Sequence, residues 1–153
     1  MVDKTKEVYR ITGYNRYPSL LNSLREEAIP LFDKGKALKV ASVPCATGIE
    51  VLAVAVELEK MVINFSIDGF DIDELGVEAA NKGEYFLNPV TGEVCGDKTS
   101  DYDYIDSNMS IQDRSFFDEE PYDNKVKITP NGDIKSGMKF HVRDVEDLPK
   151  GQY

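Results

Sequence analysis

Between residues 37 and 83 the chain alternates two apolar runs of strand length with two helical stretches, and this order constrains the fold more than any other feature. Residues 37–43 are a short apolar run that includes Val40 and Val43 and is bounded by Pro44, which suits a buried strand. Gly48 then opens residues 49–61, where apolar side chains hold nearly every position. A helix that apolar lies against a sheet and is largely buried. Residues 63–70 return to a strand pattern and end in Asp71-Ile72-Asp73, where Asp73 is placed to cap a helix over 74–82 that Gly83 would stop. This β-α-β-α order is the signature of a parallel sheet joined by right-handed crossovers, an α/β fold.

On either side the pattern is looser. Residues 17–32 carry Leu20, Leu21, Leu24, Ala28 and Leu31 at helical spacing, with Ser19 as a cap near the start. Beyond residue 88 turns, aromatics and acids take over. Residues 93–133 hold 11 acidic and 4 basic side chains, a net −7 of the chain's −10. The expectation is one domain over 1–153 with an acidic insertion or lid over 86–137, the plainer alternative being a solvated loop whose charges keep it soluble. Residues 126–128 and 138–142 read as two strands around an Asn131-Gly132 turn, the second of them a candidate third strand of the parallel sheet.

Composition narrows the function classes. With 18 Lys and Arg against 28 Asp and Glu, the charge has the wrong sign for a phosphate-binding face, so nucleic acid is not expected as a partner. No apolar run approaches the roughly 20 residues that span a bilayer, and residues 1–10 lack a signal-peptide core. Two cysteines make no disulfide framework, and a cytoplasmic, reducing setting is the expectation. The single histidine, His141, excludes any site needing two and removes the usual base of a serine or cysteine nucleophile. Asp71-Ile72-Asp73 and Asp101-Tyr102-Asp103 begin like calcium loops, but position five is Leu75 or Ile105 and no glutamate stands at position twelve, so no metal is expected.

The chemistry concentrates where the first strand enters its helix, through Pro44-Cys45-Ala46-Thr47-Gly48. At the carboxyl end of a parallel strand, such a turn lets a ligand approach backbone amides and a helix N-terminus, and small residues permit close approach. Asp71 ends the second strand 23 residues after Gly48, where an acid can accept both hydroxyls of a ribose. Together these argue for a nucleoside-bearing cofactor; packing of small residues and capping by Asp71 are the structural alternatives. The loop lacks G-x-G-x-x-G, which makes a nicotinamide or flavin dinucleotide the weaker choice.

These residues resemble the CheR-type S-adenosylmethionine-dependent methyltransferases, which methylate glutamates of bacterial chemoreceptors. That family's first motif reads like A-G-C-S-T-G-E-E-P-Y-S-L-A, against V-P-C-A-T-G-I-E-V-L-A-V-A from Val43 to Ala55, with Cys45, Thr47, Gly48 and Glu50 kept. Its T-D-I-D-x-x-x-L-x-x-A-x-x-G-x-Y resembles Phe70-Asp71-Ile72-Asp73 followed by Ala79, Ala80, Gly83 and Tyr85. Upstream, T-x-F-F-R is similar to Thr12-Gly13-Tyr14-Asn15-Arg16. Downstream, Phe140-His141-Val142-Arg143-Asp144-Val145 lies where the family reads V-x-F-x-x-x-N-L, with Asp144 and Val145 in place of the asparagine and leucine that flank the adenine.

The resemblance implies a Rossmann-like class I methyltransferase fold, a partial three-layer α/β/α sandwich representing the N-terminal part of that fold. It also implies that S-adenosylmethionine is the cofactor. Thr12 and Arg16 would reach its methionine end, with Arg16, the one residue assigned a catalytic role, holding the carboxylate by two bonds. The turn Cys45, Ala46, Thr47 and Gly48 would meet its amino-acid portion, Glu50 its cationic end, Asp71 with Ile72 its ribose, and Asp144 with Val145 its adenine. The reaction would be an in-line displacement at the sulfonium methyl by a glutamate carboxylate already ionised at neutral pH, so alignment does the catalysis and no general base is required. The implied partner is a protein substrate with glutamate side chains, such as a chemoreceptor, although this acidic chain lacks the basic helical domain that would attract one. A free sheet edge would favour a homodimer. The alternative in another class is a non-catalytic cofactor-binding or protein-interaction module. Cys45 reads as a small packing residue, with no basic neighbour in sequence to lower its pKa.

Overall fold

The apolar run, glycine and helix order of residues 37–83 folds around a parallel sheet in the computed structural model, which describes residues 11–14, 17–33, 35–96, 103–104, 108–148 and 151, with only the backbone of 11, 12, 103 and 104. In chain order the elements are β1 (Ile11–Thr12), α1 (Pro18–Ser23), β2 (Leu38–Ser42), α2 (Ile49–Lys60), β3 (Phe65–Asp71), α3 (Glu74–Lys82) and β4 (Tyr85–Leu87). They continue as β5 (Val94–Cys95), β6 (Asp103–Tyr104), α4 (Ile111–Arg114), β7 (Phe117–Tyr122), β8 (Lys125–Pro130), α5 (Gly132–Ser136) and β9 (Met138–Val142).

The parallel sheet has the order β2-β3-β9, with Leu38 opposite Phe65 and Ile67 opposite Met138. Residues 138–142 are therefore the third parallel strand that the sequence suggested. Both connections step the same way across this sheet, and α2 packs against β3 while α3 packs against β3 and β9. Eight of the twelve α2 residues are buried, from Ile49 to Leu58, seven of them apolar and the eighth Glu57. Gly83 ends α3 in the left-handed region at φ 64°, where a Cβ would be strained. Asp73 stands at the N-cap of α3 but its side chain makes no capping hydrogen bond.

Two sequence expectations are corrected. Residues 18–31 are helical, but the run begins with Pro18 at the first position and Tyr17 as an N-cap without a side-chain bond, so Ser19 lies inside the helix and caps nothing. Proline fits the first turn because its missing N–H would be an orphan there anyway. The same residue type disrupts the other end: Pro30 has no N–H to donate, and the helix passes through a π turn (Leu24–Ala28) into a 3-10 turn (Ile29–Leu31). Ile29 is buried and Leu21 and Leu24 pack on the core, whereas Leu20 and Leu31 are exposed.

The second correction concerns Asn131-Gly132, which is not a hairpin turn. The Asn131 side chain accepts from the Ile134 N–H at 3.2 Å and so opens α5 as its N-cap. Strands β8 and β9 on its two sides belong to different sheets. The hairpin of this region joins β7 to β8 through Asp123, at φ 49°, and Asn124.

The segment between α3 and β9 holds a four-stranded antiparallel sheet, β5-β4-β8-β7. Tyr85, Leu87, Val94 and Ile128 are fully buried and belong to the same core cluster as the apolar residues of α2. The outer face carries Phe86 against Tyr122, with ring centroids 5.0 Å apart, and the cross-strand pair Lys127–Glu120 at 2.8 Å. Among the described residues no helix is long and apolar enough to cross a membrane.

Candidate functional site

The turn after β2 is held by the acid that ends β3. Asp71 Oδ2 accepts from the Ala46 N–H at 2.7 Å and Oδ1 from the Asp73 N–H at 2.9 Å, so one carboxylate ties the first turn to the start of α3. Ala46 sits at φ 47°, a left-handed conformation that this bond helps to hold. The Val43–Pro44 peptide is cis. Gly48 has φ 79°, and a Cβ there would also lie 2.9 Å from the Phe140 ring, which leaves glycine as the fitting residue.

Over this turn lies a cleft of about 440 Å³, within the roughly 300–1,000 Å³ usual for small-molecule sites. Its walls include Ser42 and Pro44 after β2, Ala46, Glu50 on the first turn of α2, and Asp71, closed by Tyr14, Tyr17, Leu20 and Leu21. Of the residues singled out in the sequence, Ala46, Glu50 and Asp71 share this cleft. Cys45 lies beneath it, 1% exposed, and burial together with the Asp71 charge pushes its thiol up to about 12, so it is a protonated packing group. Thr47 is fully buried and faces Gly96, where a Cβ would lie 2.9 Å from its own; its hydroxyl has no partner among the described residues.

Ile72 is half-buried and is not part of the cleft lining. Asp144 and Val145 also lie away from it. The Asp144 carboxylate caps the short 3-10 turn after β9 by accepting from the Glu146 N–H at 3.2 Å, and Val145 is exposed. Arg16 and the Thr12 side chain fall outside the described residues.

The sequence set Tyr14 in the segment similar to T-x-F-F-R but gave it no role, and it did not point to the polar cluster behind it. Tyr14 is 3% exposed and its hydroxyl donates to Asp113 Oδ2 at 3.1 Å, across 99 residues of chain. Lys60 pairs with Asp113 and with Glu57 at 2.9 Å, and Glu57 takes Arg25 at 2.7 Å. For Glu57, burial works to raise the carboxyl, but hydrogen bonds from Lys60 and Arg25 outweigh it and hold it below its usual range. For Lys60, burial works to lower the ammonium, and Asp113 and Glu57 outweigh it and hold it above. Glu57 and Lys60 at i, i+3 on a buried helix were a legible signal. Asp113, on the far side of the chain, had none.

An α/β protein with a cleft at the carboxyl ends of two parallel strands, over a small-residue turn and a strand-end aspartate, is the class that fold and site define. Within it, the chain is similar to the probable biofilm formation methyltransferase WspC of Pseudomonas aeruginosa, with 30% identity over 91 residues, 56% of this chain and 22% of WspC. No family model matches the chain. It spans about a fifth of the length of that curated relative, and the α/β architecture with its parallel sheet is compatible with a methyltransferase fold.

Proposed function

We propose that the cleft binds S-adenosylmethionine and that the chain is part of a CheR-type methyltransferase of the Rossmann-like class I fold, acting on a protein glutamate carboxylate. The observation that carries this reading is the meeting of Asp71, Glu50 and the Ala46 turn on one cleft of small-molecule size. The residues present fit that cofactor. Each Asp71 oxygen accepts one backbone N–H and keeps acceptor capacity for a ribose hydroxyl. Glu50 supplies negative charge suited to a cationic group. When bound, the cofactor supplies an electrophilic methyl on a sulfonium. The chain's part is to bind, align and exclude water, since an acceptor carboxylate is ionised at neutral pH. Similarity to a relative named as a methyltransferase supports the same reading.

A second reading, a non-catalytic cofactor-binding or interaction module, draws on Asp71, whose two oxygens already serve the fold. Calorimetric titration of S-adenosylhomocysteine into the chain separates them from the start, with NAD as the comparison ligand. Glu50→Gln is the informative variant, because Asp71→Asn would also loosen the Ala46 turn. Saturable binding that NAD does not share and that Glu50→Gln weakens severalfold supports the cofactor site; no heat at millimolar ligand sinks it. Transfer of labelled methyl to a base-labile ester on a glutamate-bearing protein then distinguishes the enzyme from the module.

A further inference from the structure

Tyr14, with Leu21 and Ala53, lines both of two neighbouring cavities, the cleft of about 440 Å³ and a second of about 130 Å³ that also meets Arg25, Glu57 and Asp113. A phenol this deeply buried is costly unless its hydroxyl has a partner. Here that partner comes from α4, in the segment inserted between α3 and β9: Asp113 Oδ2, at 3.1 Å. Asp113 is itself clamped by Lys60 of α2, which Glu57 joins to Arg25 on the π turn that continues α1. One run of polar contacts therefore connects the inserted segment, the buried helix and both aromatic and aliphatic walls of the cleft, since Leu21 of α1 lines it too. Burial, then the Asp113 charge, holds the Tyr14 phenol far above its ordinary value, so it stays a donor at any working pH.

We propose that Asp113 is a positioning residue for the ligand cleft, holding the Tyr14 ring as its wall through the phenol hydroxyl. Ligand affinity is then set partly from the inserted segment, by a residue that does not line the cleft. This rests on the reading of the cleft as an S-adenosylmethionine site, and the test keeps the two apart.

S-adenosylhomocysteine is titrated into the 153-residue chain and into Tyr14→Phe, Asp113→Ala, Asp113→Asn and the Tyr14→Phe/Asp113→Ala double variant. Tyr14→Phe and Asp113→Ala are each expected to weaken binding about tenfold, and the double variant no more than the weaker-binding single, because both remove the same bond. Asp113→Asn keeps an oxygen acceptor for the phenol and is expected to stay within about twofold of the parent. Additive losses, or an Asn variant as weak as the Ala variant, overturn the proposal, since either would mean that Asp113 acts through Lys60 and general stability. Carbon-13 spectra of tyrosine Cζ give a readout that needs no ligand. The Tyr14 signal, identified by its loss in Tyr14→Phe, is expected to move in Asp113→Ala, and a signal that stays in place overturns the proposal outright. If the parent chain binds no S-adenosylhomocysteine while the Tyr14 signal still moves in Asp113→Ala, the cofactor reading alone is defeated and Asp113 stands as the residue that sets the wall.

Discussion

The parallel and antiparallel sheets of this molecule share a core but hold together differently. In the parallel half, α2 is apolar at eight of its twelve positions, and Leu52, Val56 and Leu58 are wholly removed from water. The antiparallel half buries one face, through Tyr85, Leu87 and Ile128, and meets solvent on the other with acids and lysines in cross-strand register. The difference follows from connectivity: a crossover helix must lie on a parallel sheet, while a hairpin can leave a face wet. It teaches where charge does structural work. Glu120 with Lys127 is a solvated pair, whereas Arg25, Glu57, Lys60 and Asp113 sit at the seam where the inserted segment meets α2.

Three substitutions grade that contrast. Leu52→Ala, in the wholly buried helix, is expected to lower unfolding free energy by about 3 kcal/mol in urea denaturation, the scale of a core cavity. A loss below about 1 kcal/mol would mean that α2 is not the centre of the core. Next, Glu57→Gln at the seam is expected to cost about 1–2 kcal/mol, because Arg25 and Lys60 each hold one oxygen of this carboxylate, and the amide keeps only one oxygen and no charge.

Its pH dependence sharpens the point. The Glu57 carboxyl is held below its unfolded value of 4.5, so its contribution is present above that value and is lost as pH falls through the lower folded one. The Lys60 ammonium is held above 10.5, so its contribution is complete below that value and is lost as pH rises through the higher folded one. Stability curves of the parent and Glu57→Gln are therefore expected to run parallel at neutral pH and to converge in acid. Smallest of all, Glu120→Gln on the outer face should change stability by less than about 0.5 kcal/mol, and 1 M salt should erase the difference. An effect equal to that of Glu57→Gln would abolish the distinction between the two regions.

Much of the parallel half was legible because each of its signals is local. A continuous apolar run bounded by Pro44, a helix opened by Gly48 and a stop at Gly83 each fix a few residues by backbone geometry, and the structure follows them to within about two residues. The N-terminal helix was legible as helix but not in its caps, where Pro18 outranked Ser19. The Asn131-Gly132 pair misled because asparagine serves equally as a hairpin residue and as a helix cap; the choice lies in which sheet each neighbouring strand joins, a long-range fact. The cleft was legible in the same unequal way. Ala46, Glu50 and Asp71 lie on consecutive elements and meet as their spacing suggested, while Asp144 turned inward to cap its own turn.

By itself, then, the sequence determined the strand, turn, helix and strand order, and with it the placing of a small-residue turn beside the Asp71 carboxylate, because right-handed parallel connections leave few other arrangements. Only the tertiary structure decided that the acidic stretch would form an antiparallel sheet, that Asp113 would cross 99 residues of chain to the Tyr14 hydroxyl, and that Glu57 would be buried between two cations. Those outcomes depend on which surfaces come together in the core. A buried charge or phenol reports its partner through desolvation, and no periodicity along the chain carries that information.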